Sequence, residues 1–455
     1  MAAGLDGGAI LPMLETVISW TERSAVVQGS TWAGQFVLEP PSAEPGPSVL
    51  YNEHLKLTSK SRIAAFAGYL MPLWYSSIAE EHRAVRRRAG LFDCTHMGVL
   101  EVCGDEAAGF LNVVATNEIG RLLVGRAQYS YILDAAGNVL DDIIIYRRGD
   151  SDFMVVVNAA NEPKVRLYFQ GLLEGRVILD AKDPAKELEC RPVIRDMRAP
   201  DRAQDGRVDI ALQGPASIET LARLAEDASL GQRLADLKSF ALLEDRLAGM
   251  DCLICRTGYT GSKVGFELFV SPARAPELWS AILEAGKPMG VLPCGLGARD
   301  SLRFEGGLPL YGHELDGKFG ISPFEAGYGW AVKLEKDFFI GRAPMQQVAG
   351  TYEMTVVRLD LPGARGVRPV RPEDPVLDER GDCVGWVLSS AKVEDRQYSL
   401  AFVNRTVARE GTRLGLYYLA RSEAQVQQGR CQAVEKGDNL KADIEGAVAS
   451  RFGKF

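Results

Sequence analysis

The chain has 455 residues, 46% of them hydrophobic and 25% charged, with a formal net charge of −8. This length exceeds one ordinary core and sets an expectation of two or three domains. The acidic balance argues against nucleic acid as a partner, since phosphate binding needs a basic face, and no apolar run reaches the length of a membrane span.

The first residues carry Asp6, Glu15 and Glu22 and no basic stretch followed by a continuous apolar core. Neither a secretory signal nor an Arg-rich transit peptide is expected, and the cytoplasm is the default location. Residues 1–48 read as an extension: a short amphipathic stretch from Leu11 to Trp20, then a Pro-rich linker from Pro40 to Ser48. Residues 49–348 alternate helical and strand patterns, which indicates an α+β body. Helices are expected at Ile78 to Arg88 and Asp105 to Val114, and strands at Gln128 to Leu133, Asp152 to Asn158 and Glu267 to Val270. The run Arg83-Ala84-Val85-Arg86-Arg87-Arg88 reads as a solvated helix face. A stretch from Asp183 to Arg207, dense in charge and proline, reads as an inserted surface loop. Residues 349–436 show short strands separated by turns, the texture of a small β domain, and 437–455 read as a polar, fraying tail.

Eight cysteines are scattered without the density of a disulfide framework. Cys252-Leu253-Ile254-Cys255 is a single CxxC on an expected strand, with no second ligand pair for a metal. The four histidines form no metal-binding spacing, so no metal site is expected.

Five segments have the character of a ligand site. Asp141 and Asp142 stand side by side in the apolar strand Val139 to Tyr146, and alternation along a strand sends them to opposite faces. Taken alone, the commoner outcome for such a pair is a solvated hairpin edge. Arg256-Thr257-Gly258-Tyr259-Thr260-Gly261 is a glycine turn, followed by Glu267 within an apolar strand. An acid there accepts paired N–H donors from a planar heterocycle, or pairs with an arginine as structural glue. Gly295-Leu296-Gly297-Ala298-Arg299-Asp300 opens a helix whose first turn suits Asp300, and Arg299 suits an anion or carbonyl. This Gly-x-Gly lacks the third glycine and preceding strand of a dinucleotide fingerprint. Phe92 to Gly98 is a polar loop around His96, and Val155 to Asn161 ends a strand on an amide that both donates and accepts.

In this order and spacing the segments resemble the folate-binding aminomethyltransferase family, the T-protein of the glycine cleavage system. The landmarks are His54, Phe66-Ala67-Gly68-Tyr69, Phe92-Asp93 with Thr95-His96-Met97, Asp141-Asp142, Leu212-Gln213-Gly214-Pro215, Thr257-Gly258-Tyr259-Thr260-Gly261, Gly297-Ala298-Arg299-Asp300 and Asp337-Phe338 with Ile340-Gly341-Arg342. The resemblance implies a three-domain α+β cloverleaf around a central tetrahydrofolate channel, with a small C-terminal β-barrel. It implies transfer of a one-carbon unit from the aminomethyl-dihydrolipoyl arm of H-protein to tetrahydrofolate, giving 5,10-methylene-tetrahydrofolate and ammonia. By motif position, Asp142 matches the family's essential aspartate beside the reactive folate nitrogens, and Glu267 the residue that grips the pterin edge. Met97, Tyr129, Asn158, Tyr259, Arg299 and Trp330 match other channel positions. Asp141 is expected to support the turn or point away. Two departures, Ser262-Lys263-Val264-Gly265 and the stretch from Leu388 to Gln397, leave the donor open. The same fold would serve a tetrahydrofolate-dependent O-, N- or S-demethylase acting on a small methylated compound.

Overall fold

The computed structural model describes residues 44–199, 202, 205–363, 366–393 and 395–453. The stretch at 11–20 and residues 40–43 of the Pro-rich linker lie outside them. No helix among the described residues is long and apolar enough to cross a membrane.

Among the described residues the strands form two large sheets, a small sheet of Gly46–Pro47, Tyr69–Pro72 and Ile63–Phe66, and a closed barrel. The first sheet has the order Arg126–Leu133, Val139–Gly149, Asp152–Val157, Gly98–Cys103, Val193–Asp196, antiparallel throughout. Its β-branched residues alternate cleanly. Ile143, Ile145, Val155 and Val157 pack under the helices Ala107–Val114 and Glu162–Leu173, while Tyr146, Met154 and Val156 face the other way. The second sheet has the order Leu242–Leu247, Met250–Cys255, Gly265–Val270, Val208–Gln213, Gly90–Asp93, Leu292–Cys294, and only its last pairing is parallel. Ile210, Leu212, Ile254 and Leu268 pack against the helix Ala275–Gly286 around Trp279. The alternate residues Leu253, Cys255 and Phe269 meet Val99, Tyr146, Met154 and Val156, so the two sheets share one apolar layer. Period-two patterning thus gives each sheet a helix-covered face and a face for its neighbour.

The barrel closes through Met354–Pro362, Arg396–Asn404, Cys383–Val393, Pro375–Leu377, Arg413–Leu416 and Ile444–Ala449. Its last strand corrects the expectation of a fraying tail. Ile444–Ala449 pairs with both Arg413–Leu416 and Arg358–Asp360 through backbone hydrogen bonds, and Val448 is its one fully buried side chain. A polar composition conceals such a strand because the ladder needs no apolar residues. The expected surface loop at 183–207 is corrected too. Val193–Asp196 is an edge strand on Gly98–Cys103, secured by Arg195 and Arg202 on Glu101 at 3.0 and 2.9 Å. The eight cysteines are all unpaired, and Cys252 and Cys255 lie on the strand Met250–Cys255.

Two buried polar knots position the loops that matter below. Lys336 donates to three carbonyls, Asn112 O at 2.6 Å, Ala115 O at 2.8 Å and Asn117 O at 3.0 Å, taking up the orphan acceptors at a helix C-terminus. With Thr116 Oγ1 on Ala331 O at 2.9 Å, it ties the 330–336 segment to the first sheet. At the end of Gly90–Asp93, Asp93 accepts from Ser48 Oγ at 2.7 Å and Thr95 N at 2.8 Å and meets His54 Nε2 at 2.7 Å, while His54 Nδ1 meets Tyr75 OH at 2.8 Å. This knot sets where the chain leaves the strand toward His96 and Met97.

Burial would raise the Asp93 carboxyl, but the His54 contact and the Thr95 N–H outweigh it and hold it at about 2, below its ordinary 3.8. A carboxyl lowered by folding stabilises the native state above its unfolded value and loses that stabilisation as pH falls through the folded one. The wild type should therefore lose about 2 kcal/mol more stability than Asp93→Asn between about pH 4 and pH 2. Denaturant melts across that range check this, and parallel losses would contradict it.

Candidate active site

The apolar layer between the sheets gives way at one end to a cavity of about 170 Å³, closed by the 308–330 segment. All eight residues singled out from the sequence line it: Met97, Tyr129, Asp142, Asn158, Tyr259, Glu267, Arg299 and Trp330. A larger cavity of about 590 Å³ adjoins it and shares Met97, Asn158, Tyr259 and Arg299. Its further walls include the turn at Phe66, His96, Tyr311 and, from the barrel, Ser389 and Ser390.

One end of the smaller cavity is acidic on the second sheet. Glu267 Oε2 accepts from Tyr146 OH at 2.9 Å, across the sheet interface, and from Thr257 Oγ1. Both bonds fall on one oxygen and leave Oε1 for a ligand. Glu267 is therefore not paired with an arginine. Asp209 lies on the same face, since Asp209 opposes Phe269 and Ala211 opposes Glu267 in the ladder. It is 2% exposed, and its Oδ1 has no partner among the described residues. Burial, and then the charge of Glu267, push its carboxyl well above the ordinary range. Arg299 stands opposite, with Nη1 donating to Cys94 Sγ at 2.9 Å and its guanidinium 5.3 Å from the centre of the Tyr259 ring. The helix that carries it begins at Leu296, so Asp300 falls in its second turn, not its first, and pairs with Arg303 at 2.7 Å. An earlier start is possible because Gly295 and Gly297 let the helix press on Leu73 and Ile78; a Cβ at Gly295 would stand 2.5 Å from the Leu73 carbonyl carbon. Tyr259 is fixed by its hydroxyl on Pro309 O.

The other end belongs to the first sheet. Tyr129 OH donates to Asp142 Oδ2 at 2.9 Å, and Asn158 Nδ2 donates to Asp142 Oδ1 at 2.8 Å. The Tyr129 ring lies 6.0 Å from Trp330 and 5.6 Å from Tyr328, making an aromatic wall whose outer member, Trp330, is 52% exposed at the rim. Asp141 does point to the opposite face, as alternation requires, yet it is fully buried rather than at a turn. It accepts from Asn158 N and Nδ2, both at 2.9 Å, and from Asn161 Nδ2 at 2.6 Å. The solvated-edge outcome does not apply to either acid.

His96 lies between the cations Arg299 and Arg198; burial first, then Arg299, lower it to about 3, so it is neutral at pH 7. Arg198 Nη1 donates to both His96 O and Tyr69 OH at 3.1 Å. The 183–207 segment thus reaches the wall of the larger cavity, which the sequence reading had not foreseen. Asp209 was also missed, although it showed the same signal as Glu267, a lone acid in an apolar strand.

The family model described as GCVT N-terminal domain matches residues 50–336. An aminomethyltransferase of Streptomyces avermitilis is 42% identical over 353 residues, 76% of this chain and 87% of that one. One of Exiguobacterium sibiricum is 38% identical over 327 residues, 72% of this chain and 81% of that one. Among solved structures, the glycine cleavage system aminomethyltransferase T from Bartonella henselae matches with a TM-score of 0.68 and 29% identity, covering 89% of this chain and 97% of that one. Family model, relatives and fold agree with the motifs, and the chain belongs to the GCVT family of glycine cleavage T-proteins, the aminomethyltransferases.

Proposed function

We propose that this chain binds tetrahydrofolate in the smaller cavity and transfers to it the one-carbon unit of an aminomethyl-dihydrolipoyl arm presented by H-protein. The products are 5,10-methylene-tetrahydrofolate, ammonia and the dihydrolipoyl arm. One observation carries the reading: eight side chains, spread from Met97 to Trp330, line a single cavity with a carboxylate free to accept at one end and a second carboxylate at the other.

These residues fit the ligand's chemistry. A pterin presents neighbouring N–H donors on one edge, and Glu267 has an oxygen without a donor while Tyr146 and Thr257 hold its other oxygen still. The aromatic wall of Tyr129, Tyr328 and Trp330 suits the flat central part of the ligand, with Trp330 at the exit toward solvent. Folate supplies the nucleophilic nitrogen that accepts the carbon. The protein's part is orientation and charge. Glu267 sets the heterocycle, Asp142 holds or moves a proton at the reacting nitrogens, and Tyr129 with Asn158 aims its carboxylate. The larger adjoining cavity leaves room for an arm to approach from the side of His96 and Tyr311.

Purified protein given aminomethyl-loaded H-protein and tetrahydrofolate should release ammonia; folate binding without ammonia would reject the donor. Glu267→Ala should weaken folate binding about ten- to a hundredfold in equilibrium titration, and unchanged affinity would reject its place at the pterin. Asp142→Asn should retain folate affinity and lose about a hundredfold or more in turnover; wild-type turnover would remove it from the chemistry.

A further inference from the structure

Asp141 and Asp142 lie on opposite faces of one strand yet converge on one amide. The neighbouring strand Asp152–Val157 ends one residue before Asn158. The side chain at 158 therefore stands past the end of the ladder, where both faces are within reach. Asn158 Nδ2 donates to Asp141 Oδ1 at 2.9 Å and to Asp142 Oδ1 at 2.8 Å. The remaining donors are Asn158 N at 2.9 Å and Asn161 Nδ2 at 2.6 Å on Asp141, and Tyr129 OH at 2.9 Å on Asp142. All of them are neutral.

Among the described residues no cation forms a salt bridge or hydrogen bond with either acid. Lys164, on the helix above Asp141, instead donates its Nζ to Tyr311 OH at 2.9 Å, and Tyr311 donates to Asp316 at 3.0 Å. Burial lowers Lys164, with Asp141 and Asp316 opposing. The other titratable groups facing Asp142 are phenols, Tyr129 and Tyr131 from the adjacent strand and Tyr259, Tyr311 and Tyr328 from the 259–328 segments, all pushed up by burial and so uncharged. Two adjacent buried charges with neutral donors alone are unfavourable, and a single retained proton removes one of them.

We propose that Asp141 and Asp142 form a carboxylate pair, bridged by Asn158, that retains one proton into the neutral range, with Asp141 the positioning residue that sets the charge on Asp142. Burial pushes both carboxyls up, and at Asp141 the charge of Asp142 adds to it and brings that acid to about 7; the two titrate as a unit. With one proton between them the pair carries a single negative charge; giving that proton at Asp142 leaves both acids ionised, and taking one back restores the single charge. What the proton is used for rests on the folate reading; its presence does not.

Infrared titration of the full chain without folate tests this through the carbonyl stretch of a protonated carboxylic acid. The wild type should lose one such band with a midpoint near neutrality, whereas Asp141→Asn and Asp142→Asn should each lack that transition, because the surviving acid no longer faces a like charge. Asp209 contributes equally to all three proteins and cancels in the differences. Asn161→Ala keeps both acids and the ladder but removes one donor from Asp141, so its midpoint should rise by about one pH unit. A wild-type midpoint in the ordinary carboxylate range, or an unmoved midpoint in Asn161→Ala, overturns the proposal. Absence of ammonia release with the neutral transition present would reject the transfer reading and leave the pair standing.

Discussion

Val99, Met154, Val156, Leu253, Cys255 and Phe269 close the gap between the two sheets with no side-chain oxygen or nitrogen among them, and the site exists because that layer stops short. Where it ends, the same inward-facing positions carry Asp142 on one sheet and Asp209 and Glu267 on the other. The register of two antiparallel ladders thus decides which side chains face the cavity. A slip of one residue in either strand would bury an isoleucine or leucine there and turn the acid toward a helix. Tyr146 spans the boundary, packed in the apolar layer through its ring and bound to Glu267 through its hydroxyl.

Four acids in or beside one cavity carry a cost that the fold meets differently at each end. At Glu267 and Asp209 a cation is present, since Arg299 stands among them. At Asp141 and Asp142 the hydrogen-bond donors among the described residues are amides and one phenol, all neutral, and the proton itself becomes the compensating charge. The two ends are therefore suited to different tasks. A carboxylate whose one oxygen is held by Tyr146 and Thr257 is a fixed acceptor for a ligand's N–H edge. A carboxylate whose charge depends on a shared proton suits a centre where protons move.

Much of this was legible in the residues themselves. Motif order alone brought Met97, Tyr129, Asn158, Tyr259 and Arg299 to the same list as the two acids, and all face one cavity. Alternation placed Asp141 and Asp142 on opposite faces. What alternation cannot show is where a neighbouring strand ends, and that ending is why Asn158 reaches both acids. Asp209 escaped notice because its strand carries no glycine loop to mark it, although its apolar neighbours held the signal. Ile444–Ala449 and Val193–Asp196 escaped because edge and closing strands depend on backbone pairing, which composition does not report. Arg198 escaped because its contacts to His96 and Tyr69 are long-range, across 102 and 129 residues of sequence.

On the proposed reaction, the carbon delivered to this cavity arrives at the oxidation level of a methylene group. A single turnover with a carbon-13-labelled aminomethyl arm on H-protein, followed by carbon NMR of the folate, addresses it most directly. The label should appear as a methylene bridging N5 and N10. A labelled methyl group on folate, or a label that stays on the arm while folate is bound, would contradict it.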